Sequence, residues 1–223
     1  MERFNESELL KNNRNLIHKS YENILNYTNQ NQQEKEENLD AFLMGLFNVF
    51  YEEWQLIYPK YIESIISNDV MATFHKVQLH QMETEFDIPE EINEFAVIYY
   101  LAGYFNLFIT PYNQTHSNNG EIRYNITKDK DINQNLYDIF EEMWNKIAEK
   151  VELNDVEWDE FDLELFYEVE ESFLQKYLSK CWKQNKAKLN SKTKAILCEH
   201  SGAGEIYYLD ESRVIKSISE FLK

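Results

Sequence analysis

Five glycines and three prolines are all that a chain of 223 residues contains, and this scarcity constrains the fold more than any other feature. A turn-rich β architecture needs such residues at every reversal, whereas long helices need them only near their ends. The apolar residues agree with helices. Leu9, Leu10, Leu16, Ile17, Tyr21, Ile24 and Leu25 recur at three- and four-residue steps between Glu6 and Tyr27, as on the buried face of an amphipathic helix. Phe42, Leu43, Leu46, Phe47, Phe50, Trp54 and Ile57 repeat the pattern from Leu39 to Tyr58. The polar stretch 28–38 between them reads as a loop or an exposed turn of helix. Pro59 should end the second helix or start the next, because proline suits a first helical turn and not an interior. Ile62, Ile65, Ile66, Phe74, Val77 and Met82 then carry a helical pattern to Glu83, with a candidate break at Asn68-Asp69.

Further along, Asp87-Ile88-Pro89-Glu90-Glu91 combines a capping aspartate, an early proline and acids near a helix N-terminus. The apolar run of 15 residues from Phe95 to Ile109 follows it and reads as a buried core helix. It is short of the ~20 residues that cross a bilayer. The segment 111–121 is the clearest loop and the candidate internal boundary, with a short strand expected from Glu121 to Thr127. Asp131 should cap a helix through Ile147. Between Asp155 and Phe166, apolar residues alternate with acids as in a strand. Phe161, Leu165, Val169, Phe173, Tyr177 and Cys181 also recur every four residues, which favours a helix. Past Asn190, Lys194 to Glu199, Glu205 to Leu209 and Arg213 to Lys216 look like short strands, and Ser217 with Glu220 fits a capping box. The expectation is one mainly α domain, a bundle of about six helices with a small antiparallel β element at 192–216.

Charge limits what such a domain can bind. The chain carries 40 Asp+Glu against 22 Lys+Arg, a formal net charge of −18, yet 15% of its residues are aromatic. That aromatic content supplies the apolar area to fold, so the chain is not a disordered acidic tail. Direct contact with nucleic acid or an anionic membrane would need clustered Lys and Arg, and neither is expected. From Glu149 to Glu171 eleven acids face one base, a net −10, whereas Lys176 to Lys194 holds seven lysines and no acid. Acids early and lysines late suit the dipole of one solvated helix. They also suit a recognition face for a basic protein, because acidic surfaces steer basic partners into rapid encounter. On that reading Glu157, Trp158, Asp159, Glu160, Phe161, Asp162 and Glu164 form the partner-binding segment, with Trp158, Phe161 or Phe166 as apolar anchor. The rest of the chain nets −15, so the acidity is global.

Motifs for chemistry are sparse. None of the five histidines has Glu three residues before it, and no His-Glu-x-x-His occurs, so neither a di-iron nor a zinc-protease pattern is present. Asp162-x-Glu164 would hold a divalent cation only beside a third carboxylate. His200-Ser201-Gly202-Ala203-Gly204 has the glycines of a phosphate loop but no helix after it, and reads as a hairpin turn. Cys198 and His200 would share one face of a strand, without a third group to complete a nucleophile. Two cysteines, Cys181 and Cys198, make no disulfide framework and suit reduced thiols in a cytoplasm. The polar N-terminus lacks the apolar core of a signal peptide. Eighteen lysines against four arginines, with abundant Asn, match AT-rich bacterial or phage coding. The expected protein is therefore a cytoplasmic acidic inhibitor or immunity-type protein, without cofactor, metal or catalytic residues. It would occlude a basic partner such as a toxin or a nucleic-acid-handling protein. A homo-oligomer in which a second copy covers some aromatic faces stays open. The alternative is an enzyme with an unusual carboxylate or Cys/His site.

Overall fold

Among the described residues, five helices and six strands build the computed structural model; these residues are 13–82, 95–101, 104–111, 124–125, 132–153, 156, 158, 164–189, 193–199, 205–217 and 220. The chain is mainly helical, with three antiparallel strands near its C-terminus. It divides into two compact units, each assembled from segments distant in sequence. Met1–Ile65 and Ile132–Glu170 form the first, Ile66–Asp131 and Glu171–Lys223 the second.

The first unit is helical. It contains α1 (Arg14–Gln30), the short exposed α2 (Gln32–Glu37), the first part of α3 (Leu39–Met82), α4 (Ile132–Lys150) and the start of α5 (Glu164–Leu189). The spacings read from sequence mark the buried faces, with Ile17, Tyr21 and Ile24 on α1 and Phe42, Leu46, Phe50, Trp54 and Ile57 on α3; Leu136, Phe140, Met143, Trp144 and Ile147 are buried on α4. Aromatic rings dominate this core. Trp54 meets Phe140 and Phe166 edge-on at centroid distances of 5.0 and 5.1 Å, the arrangement the ring quadrupole favours. Two carboxylates lie inside it, both satisfied by donors. Glu53, 7% exposed, accepts bonds from Ser20 Oγ and from Asn23 Nδ2 at 2.7 Å. Glu170, 5% exposed, accepts the Tyr137 hydroxyl at 2.7 Å.

The exit from α4 shows how local chemistry directs the chain. Leu153 N–H bonds to the Ala148 carbonyl at 2.9 Å and Glu152 N–H to the Glu149 carbonyl at 3.4 Å. Glu152 adopts φ 57°. This is a Schellman termination, with a glutamate where glycine is usual. Trp144 Nε1 then donates to the Val156 carbonyl at 3.2 Å, which ties the next segment back onto α4.

The second unit contains a mixed six-stranded sheet of order β3-β2-β1-β4-β5-β6. The strands are β1 (Phe95–Leu101), β2 (Tyr104–Pro111), β3 (Tyr124–Asn125), β4 (Lys194–Glu199), β5 (Ile206–Tyr208) and β6 (Arg213–Ile215). β1 and β4 pair in parallel, Ile98 opposite Leu197; the other neighbours are antiparallel. Ala195, Ile196, Leu197, Tyr207, Tyr208 and Leu209 are buried, as are Leu174, Leu178 and Trp182 of α5. Trp182 receives Phe74 of α3 edge-on at 5.2 Å.

Three expectations are corrected. The run from Phe95 to Ile109 is not a helix: it forms β1 and β2, paired as a hairpin with Ile98 opposite Ile109. A continuous apolar run has no period to separate a buried helix from a central strand, and its Val, Ile, Tyr and Phe content favours the strand. The C-terminal strands accordingly belong to a larger sheet. Pro59 ends nothing, because it lies inside α3, a helix of 44 residues from Leu39 to Met82. Proline removes the bond to the carbonyl of Gln55, and that residue stands on the exposed side of the helix, where water can satisfy it. Nor does α3 break at Asn68-Asp69, which lie inside it; the helix read through Phe161 to Cys181 is α5, described from Glu164. The segments 83–94 and 112–123, with the expected cap at Asp87 and the boundary loop, lie outside the described residues.

Candidate functional site

Trp158 is not an exposed anchor. Its side chain is 9% exposed, with ring centroids 5.5 Å from Phe50 and 5.8 Å from Phe166. Phe166 is fully buried. Both are core residues of the first unit, because an indole excluded from water among other rings gains more than one left at the surface. Glu164 opens α5. Glu157, Asp159, Glu160, Phe161 and Asp162 lie outside the described residues.

Charge is partitioned between the units in a way that linear order conceals. The first unit carries 24 acids against 8 bases, a net −16, whereas the second carries 16 against 14, a net −2. Within the first unit, twelve described acids are exposed against three bases, Lys19, Lys60 and Lys150. The acids stand on every helix of the unit, for example Glu22 on α1, Glu36 on α2, Glu52 on α3 and Glu141 on α4. All of the −10 window except Glu171 belongs to this unit, whose other acids come from Asp138, Glu141 and Glu142 just before it and from residues 2–63, far earlier in the chain.

On α3 the residues Asp40, Met44, Asn48, Glu52, Leu56 and Lys60, spaced four apart, are all exposed. Met44 is 69% and Leu56 54% accessible. Residues at this spacing form one of the two ridges by which helices pack, and here that ridge faces solvent. Neither Met44 nor Leu56 was among the residues expected to bind. The signal available in sequence was their failure to fit the buried stripe of α3.

Cys198 and Cys181 are buried thiols, and burial pushes the Cys198 thiol up to about 11, the reverse of nucleophile activation. His200 lies outside the described residues. Among the described residues, no group of three or more His, Cys, Asp or Glu is placed to hold a metal ion. A lysine–serine chain does occur in the second unit. Lys183 Nζ lies 2.6 Å from Ser212 Oγ, which lies 2.7 Å from Ser179 Oγ, and Ser179 donates to the Leu209 carbonyl. A hydroxyl has one proton to give, so the chain runs one way, from lysine through both serines to the carbonyl. The amine donates to Ser212 and does not take its proton, as a lysine base would have to. The chain instead pins the β5–β6 turn to α5. Asp210 does the same at its other side, accepting Lys186 Nζ at 2.5 Å and Ala195 N–H at 3.0 Å.

Set against known proteins, the chain matches no family model, no curated protein and no solved structure. Its class therefore rests on its own geometry: a mainly helical protein whose acidity is concentrated in one of two units. Among the described residues, no helix is long and apolar enough to cross a membrane.

Proposed function

We propose that the protein is an inhibitor or immunity-type binding protein whose acidic first unit occludes a basic protein partner. The observation that carries this reading is the partition of charge, −16 in one unit against −2 in the other. Like charges gathered on one unit oppose folding and must be tolerated there, which is reasonable where they serve to attract. Such a field raises association rates from the ordinary 10⁵–10⁶ toward about 10⁸ M⁻¹s⁻¹ at low salt. Speed matters when a partner must be caught before it acts. A protein that handles nucleic acid presents a cationic surface to do so, and a nuclease toxin is one member of that class. Occlusion requires no chemistry from the inhibitor. A cytoplasmic setting in a bacterium or phage agrees with the buried thiols and the lysine-rich, asparagine-rich usage.

The test is kinetic. A partner captured from the host is assayed by stopped-flow association against the native chain. It is then assayed against a variant with Glu36, Glu52, Glu141 and Glu149 changed to Lys, and against one with Glu205 and Glu211 changed to Lys. The first variant should associate at least about tenfold more slowly, with a weaker dependence on salt, while the second stays near native. Equal effects of both variants would refute the reading.

A further inference from the structure

The geometry points to the exposed ridge of α3, Asp40–Met44–Asn48–Glu52–Leu56, as the docking strip for a basic amphipathic helix of the partner. This rests on the acidic first unit being the recognition unit, and adds where and what it grips. A binding face made of charge alone steers but holds weakly; lasting complexes need apolar side chains that become desolvated. Trp158 and Phe166 lie inside the core, so the anchor is sought among the apolar residues the structure leaves exposed. Five large hydrophobic residues are exposed among the described ones, and three of them, Leu39, Met44 and Leu56, lie on the first part of α3. Scattered single exposures are ordinary. These recur along one helix, and Met44 and Leu56 share its ridge with Asp40 and Glu52.

The occupant follows from complementarity. Asp40 and Glu52 stand on the ridge, Glu36 and Glu37 precede it, Glu63 follows, and Lys60 is the lone base on α3 up to residue 65. That pattern asks for Lys and Arg on the other side. Met44 and Leu56 ask for apolar residues at matching distance, and twelve helical residues separate them by about 18 Å. One segment meets both needs when it is helical, apolar on one face and basic beside it, with a groove that takes the ridge. A second copy of this chain is disfavoured, since it brings its own −18.

The probe is a fluorescently labelled Leu/Lys amphipathic peptide of about 18 residues, long enough as a helix to span the ridge. A Ser/Lys peptide of equal charge is its control. Binding to the full chain is followed by anisotropy, for the native protein and for the double variant Met44→Gln, Leu56→Gln. Both positions are exposed, so far-UV circular dichroism and the thermal melt should be unchanged. The Leu/Lys peptide should bind more tightly than the Ser/Lys peptide and lose at least about tenfold in affinity with the double variant, whereas the control should be indifferent to it. If the double variant binds the Leu/Lys peptide as tightly as the native chain, the strip is wrong and the acidic-unit reading stands. If neither peptide binds the native chain, both readings fall.

Discussion

Replacing Trp158 by alanine separates its two roles, because an anchor and a core residue fail differently. The ring is 9% exposed and packs on Phe50 and Phe166, with Phe50 itself reaching Trp144 at 5.9 Å. Removing a buried indole costs about 3–5 kcal/mol, made of lost transfer energy and the cavity that remains. With a urea dependence of about 2 kcal/mol per molar for a unit of this size, the midpoint of unfolding should fall by roughly 1.5–2.5 M. Trp158→Phe keeps a ring between the same neighbours and should lose much less. Urea melts followed by far-UV circular dichroism are the assay. A midpoint shift below about 0.3 M for Trp158→Ala would refute the core assignment. So would a variant that unfolds normally but releases a basic partner faster.

Glu152→Gly should raise stability by roughly 0.5–1 kcal/mol, read from the same melts, because φ 57° suits glycine and because a carboxylate opposes the negative end of α4; a loss of stability would show that the glutamate has a favourable partner. Gly45→Ala should destabilise by up to about 2 kcal/mol net, since a new Cβ would lie 1.8 Å from Tyr27 Oη and 2.8 Å from its Cζ, an overpacking cost of about 1–3 kcal/mol that the better helix propensity of alanine offsets by about 1 kcal/mol. Adding Tyr27→Leu should recover part of that loss in a double-mutant cycle, and strict additivity would contradict the close approach. Alkaline pH should destabilise the fold. Burial, then Glu170, raises the Tyr137 phenol well above its usual range, while burial, then Asp210 and Glu211, pushes Tyr208 up to about 12. Both favour the protonated folded state, so their contribution is complete below about pH 10, where unfolded tyrosine ionises. It is lost as pH rises toward 12. Absorbance at the phenolate band should therefore lag behind that of free tyrosine until unfolding, and full titration near pH 10 in the folded state would contradict this.

The long helices of the first unit were legible in the sequence because each carries its own period, which the polar α2 lacks. Ile17, Tyr21 and Ile24, or Phe50, Trp54 and Ile57, mark a buried face without reference to anything distant. The strands after Asn190 were legible for a similar reason, being short apolar runs between turn residues. The run from Phe95 to Ile109 was not, since it is almost wholly apolar and shows no period, and its strands are fixed by pairing with each other and with β4, nearly a hundred residues later. Pro59 misled because a local rule set the helix end, while the burial of Tyr58, Tyr61 and Ile62 on either side of it holds α3 together. Trp158 was misplaced by its neighbours in sequence: flanking acids suggested a surface, and the tie from Trp144 to Val156 turned the ring inward. The sequence by itself determined that the chain is mainly helical and acidic, since those properties depend on which residues are present and how they repeat. Which unit holds the charge, which rings are core and which ridge stays exposed are relations between residues far apart along the chain, and only tertiary packing decides them.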